Sequence, residues 1–540
     1  MFLERCLFAT ASAAAMTTVI AAAGPVQAFT LHVLHFNDFH SRIESINAFD
    51  STCSAEDEGE GKCFGGAARL VTAVNAERDA LKAAGENVLV LEAGDAFQGS
   101  LFFTTYSGAV EAEMLNRIGL DAMVYGNHEF DLGPEALAKF IEAADFPVLS
   151  GNADVSADNL LAPLAQDHLV LEIGGQKVAI LGAVTPDTPE ISSPGPTVRF
   201  RPPVDYLRAE VAALEAEGVD KIILLSHLGE FGDQAVAASV PGIDLIVGGH
   251  SHTLFSNTAE GAPFKYPLMV DGPDGQAVPI VQAGAYSKYL GHVELTFDDK
   301  GLVTAAAGDT QVLDASVTPD AATLDRIKEL SGPIEELKGR KVAEIPAGID
   351  GSRETCRAQE CQMGNLVTDA MLDRVKSQGV TIAITNGGGL RASIGGGTVT
   401  MGDVLAVLPF QNTLATFNIP GSGVLAALEN GFSQVEEGAG RFPQVSGLRV
   451  TWDPKAPANS RVKTVEIRDG DAWAPLDPAE VYSVASNNFM RNGGDGYVSL
   501  RDEATQAYDY GPGLEDVLAD YLAAHPGYVA VTEGRISPVE

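Results

Sequence analysis

Between Leu31 and about Thr296, short apolar runs alternate with segments of helical spacing, the pattern of a sheet covered by helices. The runs are Leu31 to Phe36, Val88 to Leu91, Ala122 to Tyr125, Val178 to Ala183, Ile222 to Leu225 and Leu245 to Val247. Between the first two, Leu70, Val74 and Leu81 predict a helix over Arg69 to Ala84. Residues 318–340 predict a connecting helix, with Thr318 as N-cap, Pro319 at the first helical position and Leu324, Ile327, Ile334 and Leu337 in one stripe. Gly332-Pro333 would kink it. Beyond it, Val342 to Ile345, Thr381 to Thr385, Leu448 to Trp452 and Val481 to Ala485 read as strands between glycine-rich turns, which predicts a second, mixed α/β domain. The acidic run Glu56 to Glu60 reads as a solvated loop.

At 540 residues the chain exceeds a single core, and its 45% hydrophobic and 20% charged content excludes a largely disordered protein. Arg5, the apolar stretch Leu7 to Ala23 and Val26-Gln27-Ala28 read as an export signal over 1–28, so that the mature chain starts at Phe29. A signal-anchor helix is the alternative; no later stretch reads as a membrane span. Of five cysteines Cys6 leaves with the signal, and Cys53 with Cys63 and Cys356 with Cys361 read as two loop-stapling disulfides of an exported, periplasmic or extracellular, protein. A four-thiolate zinc site is the alternative, but neither pair has the usual two-residue spacing. The charge is extreme: 73 Asp and Glu against 35 Lys and Arg give −38, which disfavours nucleic acid and anionic membranes as partners. A small anionic ligand stays compatible if cations or arginines reverse the field at one place.

Five apolar runs deliver metal-type residues just past their C-terminal ends, where open α/β sheets bind ligands. They are Asn37-Asp38-Phe39-His40, Gly94-Asp95, Gly126-Asn127-His128-Glu129, Ser226-His227 and Gly249-His250-Ser251-His252. Each alone is ordinary turn chemistry. Together they offer carboxylate, imidazole and amide ligands, a set for zinc, manganese, iron or cobalt and not for calcium. Two ions sharing one carboxylate, about 3.5–4 Å apart, would clamp an in-line phosphoryl displacement, and Asp95 is the natural bridge.

These motifs resemble the calcineurin-like dinuclear metallophosphoesterases. Cys356-Arg357 with Cys361 and Met363-Gly364-Asn365, Asn386 to Arg391, Leu408-Pro409-Phe410 and Phe489 to Gly496 extend the resemblance to the 5'-nucleotidase family, near its ecto and bacterial periplasmic members. The similarity runs from about Leu31 to Val498, in order. It implies a signal over 1–28, a calcineurin-like β-sandwich flanked by helices over 29–317, a linker helix over 318–341 and a mixed α/β substrate-binding domain over 342–540. It also implies that Asp38, His40 and Asp95 hold one metal and that Asp95, Asn127, His227 and His250 hold the other. His252 stands where bacterial members carry Gln and animal members Asn, so it either joins the first metal or touches phosphate. His128 and Asp131 would be the catalytic dyad. Arg357 and Arg391 would bind phosphate, Asn386 the base and Asp495 the ribose, while Phe410 and Phe489 would stack the base.

The implied activity is hydrolysis of nucleoside 5'-monophosphates such as AMP to nucleoside and phosphate, with two divalent ions, zinc first among them. A water acidified to a pKa near 7 by the metal attacks phosphorus as hydroxide, and His128 supplies a proton or positive charge to the poor leaving alkoxide. Hydrolysis of UDP-sugars, nucleoside di- or triphosphates or 2',3'-cyclic nucleotides remains open within this class. A thiosulfate-ester hydrolase shares the metal domain, but the two phenylalanines argue for a base. From another class, the rival is an exported nucleotide-binding protein without turnover. Metals on one domain and base clamp on the other predict that substrate bridges them and that rotation about the helix at 318–340 opens the cleft; a disulfide locking the domains shut should then stop turnover.

Overall fold

Six strands form a first sheet in the order Val303–Val312, Tyr289–Phe297, Phe29–Phe36, Asn87–Glu92, Ala122–Val124 and Val148–Leu149. A second six-stranded sheet runs Leu268–Asp271, Ala277–Val281, Leu245–Val247, Ile222–His227, Gln176–Val184 and His168–Ile173. The computed structural model describes residues 29–47, 52–410, 412–470, 472–509 and 511–539; the export signal read over 1–28 lies outside them. The predicted apolar runs lie within these strands, with Tyr125 falling just past the end of its strand.

Alternation explains the layering. Leu31, Val33, Leu89, Leu91, Ala122 and Val124 face Ile180, Ile223, Leu225, Leu245, Val247 and Val281 of the other sheet, one apolar layer between the two. Leu34, Phe36, Val90 and Met123 point outward and are covered by the helices Ala67–Ala84, Ala109–Ile118 and Gly133–Ala143. Ala67–Ala84 is the helix predicted from Leu70, Val74 and Leu81, and it ends where Gly85 adopts φ 83°. Strands Phe29–Phe36, Asn87–Glu92 and Ala122–Val124 run parallel, as do Ile222–His227 and Leu245–Val247, so both sheets turn their C-terminal ends to one edge.

The connecting helix is Ala321–Lys338 and starts later than its sequence suggests. Asp320, not Thr318, is the N-cap, its carboxylate accepting the Thr323 amide at 2.8 Å. Thr323, Ile327, Leu330, Ser331 and Ile334 form its buried face, whereas Leu324 and Leu337 are 46% and 45% exposed. Pro333 lies inside the helix without ending it. The helix packs on Ala67–Ala84 and Leu101–Tyr106 on one side and on Met401–Val407 on the other. Tyr106 Oη donates to Leu330 O at 2.7 Å, and Glu113 takes Arg326 in a fork at 2.8 and 3.0 Å.

After it come a five-stranded sheet, in the order Pro443–Ser446, Ile382–Asn386, Val481–Asn487, Leu414–Pro420, Thr505–Tyr508, and a four-stranded sheet of Ala472–Pro475, Val462–Asp469, Leu448–Trp452 and Ile536–Pro538. The acidic run is partly helical: Ala55–Gly59 forms one turn, capped by Ser54 Oγ accepting from Asp57 N at 3.0 Å. Cys53–Cys63 and Cys356–Cys361 are disulfides, with Cα–Cα distances of 6.0 and 5.0 Å, which removes the four-thiolate alternative. No helix among the described residues is long and apolar enough to cross a membrane.

One buried acid gives the fold a testable pH dependence. Glu111, fully buried on Ala109–Ile118, takes a hydrogen bond from Ser41 Oγ at 2.5 Å, and burial pushes its pKa from 4.5 up to about 7. A carboxyl raised in the folded state costs nothing below its unfolded pKa and its full cost above the folded one, so this penalty grows as pH rises from about 4.5 to about 7. Glu111→Gln removes it. Its stability advantage over wild type, read from denaturant unfolding, should grow by about 2–3 kcal/mol between pH 5 and pH 8. An advantage equal at both pH values would refute this origin.

Candidate active site

At the shared edge of the two sheets the loops leave the ordinary backbone regions. Asp38, His40, Asp95, His250 and His252 all have φ between 47° and 69°, a conformation side chains rarely adopt and that persists only where surroundings enforce it. Here the enforcement is a lattice of hydrogen bonds. Asp38 N donates to Gly94 O at 3.0 Å, His40 N to Asp95 O at 2.9 Å and Tyr286 N to Asp38 O at 2.8 Å. The Glu129 carboxylate accepts the amides of Asp95, Ala96, Phe97 and Gly126 at 2.6 to 3.1 Å, holding the Asp95 loop from below. Gly126 is needed for close approach, since a Cβ there would strike Asp95 Oδ1.

These loops bring the seven proposed metal ligands together. His227 Nε2 is 3.0 Å and His40 Nε2 3.7 Å from Asp95 Oδ2, so that oxygen lies between two groups of donors. In one group, His252 Nε2 is 3.2 Å from Asp38 Oδ1 and 3.1 Å from His40 Nε2. In the other, donor atoms of Asp95, His227 and His250 lie within 4.8 Å of one another. His40 donates Nδ1–H to the carbonyls of Phe97 and Gln98, and His227 Nδ1 faces Ala93 O at 2.7 Å, so both present Nε2 to the centre. Asn127 Oδ1 and His250 Nδ1 are buried there with no hydrogen-bond partner in the protein, as vacant ligand atoms would be. Burial holds His40, His250 and His252 well below the usual imidazole pKa, which keeps them neutral and able to ligate. Burial alone would raise Asp95, but His227 and His128 hold its carboxyl well below the usual range. The donor set and its bare atoms fit divalent cations.

His128 Nδ1 is 2.6 Å from Asp131 Oδ2; Ser192 Oγ donates to Asp131 Oδ1 at 2.7 Å and Gln98 Nε2 to Oδ2 at 3.1 Å. Burial pushes the imidazole down, but the carboxylates of Asp131 and Asp95 outweigh it and the pKa rises. Asp95 Oδ1 accepts the His128 amide at 2.8 Å, which ties this pair to the ligand loop.

The opposite wall comes from the C-terminal half. A cleft of about 1100 Å³ is lined by Asp95, Asn127, His128, Asp131, His250 and His252 on one side and by Arg357, Asn386, Arg391, Phe410, Phe489 and Asp495 on the other; Asp38, His40 and His227 lie buried behind the first wall. Arg391 Nη2 reaches within 3.3 Å of His40 Nε2, and the Phe410 ring stacks on His128 at 5.8 Å and 27°. Asn386 and Asp495 are bonded to each other at 2.6 Å, with Asn487 donating to Asn386 Oδ1 at 3.0 Å.

Three contributors were not read from the sequence. Arg353 lies in the same cleft, its Nη2 3.4 Å from His250 O; burial and the neighbouring Arg391 lower its guanidinium pKa, and burial with Arg353 and Arg391 lowers that of Arg357. Mutually repelling, desolvated cations in so acidic a chain mark an anion site. Arg353 stands four residues before Arg357, a spacing that could have found it. Glu129 and Tyr286, whose ring lies 5.5 Å from His40 and 5.2 Å from His252 with the Arg42 guanidinium 4.6 Å above it, left no such signal.

Comparison with known proteins gives the same two halves. Residues 31–254 match the calcineurin-like phosphoesterase family and residues 340–502 the 5'-nucleotidase C-terminal domain. A 5'-nucleotidase of Diplobatis ommata is 35% identical over 98% of this chain and 94% of its own length, and the human 5'-nucleotidase 34% identical over 97% and 94%. The chain belongs to the 5'-nucleotidase family. It is therefore a hydrolase with the family's two-part architecture. A solved 5'-nucleotidase precursor from Thermus thermophilus superposes with a TM-score of 0.89 at 40% identity, covering 95% of this chain and 99% of that one. A sulfate thiohydrolase from the same organism shares the fold at 22% identity and a TM-score of 0.77.

Proposed function

We propose that this 5'-nucleotidase family member hydrolyses nucleoside 5'-monophosphates to nucleoside and phosphate, with zinc as its metal and the exported space as its location. The approach of Arg391 to His40 carries the reading, because it sets phosphate-binding guanidinium chemistry from one half directly over metal-ligand chemistry from the other. The two disulfides and the N-terminal export pattern support the location.

Asp38, His40, His252 and Asp95 would hold one cation, and Asp95, Asn127, His227 and His250 the other. Bound there, divalent cations supply Lewis acidity to the phosphate oxygens and a water acidified for attack. Arg353, Arg357 and Arg391 neutralise the remaining phosphate charge and fix its orientation, with forks suited to planar oxygen pairs. His128, its tautomer held by Asp131, delivers the proton that the leaving ribose oxygen needs. Phe410 and Phe489 supply faces for the base, and the Asn386–Asp495 pair supplies polar groups for the nucleoside edge.

Phosphate release should be seen from AMP, fall on chelation and be absent in Asp95→Ala. UDP-glucose, ADP and a 2',3'-cyclic nucleotide tested beside it order the substrates, and the absence of chelator-sensitive release from all four would remove the enzyme reading. For the base site, Phe410→Ala with Phe489→Ala should lower kcat/KM for AMP by about a hundredfold or more, since each stack is worth about 1–3 kcal/mol. Turnover of p-nitrophenyl phosphate, which has no base, should change little. Equal losses on both substrates would make the rings purely structural.

A further inference from the structure

Under the helix Ala67–Ala84, away from the cleft, the first sheet carries a second gathering of metal-type side chains. His32 lies on Phe29–Phe36 and His292 on its antiparallel neighbour Tyr289–Phe297. His32 Nδ1 faces His292 Nε2 at 3.0 Å, with the ring centroids 5.2 Å apart. Each imidazole has a carboxylate at its other nitrogen: Glu77 Oε1 is 3.2 Å from His292 Nδ1, and Glu86 Oε2 is 3.8 Å from His32 Nε2. The strand register sets Glu294 directly across from His32 and two residues beyond His292, so all three share one face of the sheet.

The chemistry of this row decides what it can hold. A histidine that points one ring N–H at a carboxylate presents a lone pair from its other nitrogen, and such an outer carboxylate is the usual companion of a metal-ligating histidine. His292 directs Nδ1–H at Glu77 and so turns its Nε2 lone pair to His32 Nδ1, which donates an N–H···N bond across the 3.0 Å gap; a divalent cation taken up between the rings would replace that proton, with Glu86, 3.8 Å from His32 Nε2, favouring the tautomer that ligates through Nδ1. Two nitrogen ligands on one tetrahedral zinc, each at about 2.05 Å, would stand about 3.3 Å apart, so the 3.0 Å separation needs a few tenths of an ångström of adjustment. His32 is 6% exposed and anchored in the strand, while His292 and Glu294 open towards solvent, so an ion has an approach and room for water ligands.

We propose that His32, His292 and Glu294 form a third divalent-metal site, separate from the catalytic pair, that takes a borderline cation such as Zn²⁺ and staples the first strand of the chain to the strand beside it. Glu77, on the covering helix, and Glu86, just beyond its end, orient the two imidazoles and extend the staple to that helix. The two-histidine, one-carboxylate set excludes calcium and magnesium, which want oxygen.

The test is zinc stoichiometry of the full-length protein, by equilibrium dialysis against buffered free Zn²⁺ followed by elemental analysis. His32→Gln and His292→Gln should each bind one equivalent less than wild type, with AMP hydrolysis within about twofold of wild type because the cleft is untouched. Glu77→Gln should keep the equivalent but weaken its binding about 10–100-fold. His292, partly exposed, guards against a folding defect in the His32 variant. Equal zinc content in wild type and both histidine variants would overturn the site, and leave the row as a hydrogen-bonded pair between carboxylates.

Discussion

Asp95→Ala is expected to lower phosphate release from AMP by at least about a thousandfold, with loss of bound metal. The size follows from how many functions converge on one carboxylate. Its Oδ2 lies between His227 and His40, the position of an oxygen shared by two cations, and its Oδ1 accepts the amide of His128. Removing it would take a ligand from both of the proposed cations and loosen the residue proposed to protonate the leaving group. Losing one preorganised electrostatic contact commonly costs about 10²–10³ in rate, and here two contacts and the metal occupancy go together. The loop itself should survive, because Glu129 holds it through backbone amides and not through the Asp95 side chain. Elemental analysis and circular dichroism beside the activity assay separate metal loss from unfolding. A folded Asp95→Ala protein that keeps both metals and most of its activity would refute the bridging role.

The motifs that carry the proposed ligands, and their meeting at one edge, were legible because their signal is local. An apolar run followed by Asp, His or Asn describes a strand and what lies past its end, and parallel strands put those ends at one edge. Asp38, Asp95, Asn127, His227 and His250 needed no more than that. The disulfides were legible for the same reason, through short spacing in sequence. Glu129 was not, because its role is to accept four amides, three of them from a loop 32 to 34 residues away, and no residue pattern encodes an acceptor's partners. Tyr286 depends on the packing of a loop against His40 and His252. The helix start shifted from Thr318 to Asp320 because both residues suit an N-cap and only tertiary contact chooses: Asp320 N is fixed by Ala68 O at 3.0 Å. The net charge of −38 acquires a counterpart in Arg353, Arg357 and Arg391 of the cleft, which oppose the field where an anion would enter.

His128→Ala separates proton delivery from every other function of the cleft. It should cost AMP hydrolysis about 10²–10⁴-fold, the usual worth of a positioned general acid. The same variant should cost p-nitrophenyl phosphate far less, because nitrophenolate departs without a proton whereas a ribose alkoxide does not. The geometry supports this division. His128 is bound through Nδ1 to Asp131 at 2.6 Å, which leaves Nε2 as the nitrogen able to face a leaving group in the cleft, and Asp131 is itself held by Ser192 and Gln98. Asp131→Asn keeps the ring in place but lets the amide favour the wrong tautomer, so it should reproduce the leaving-group dependence with a smaller loss. If His128→Ala slowed AMP and p-nitrophenyl phosphate by the same factor, His128 would act on the phosphoryl group or on metal binding instead of on the departing oxygen. Because Phe410 stacks on this ring, Phe410→Ala should not mimic the effect: losing a base contact raises KM for nucleotides, whereas losing the acid lowers kcat.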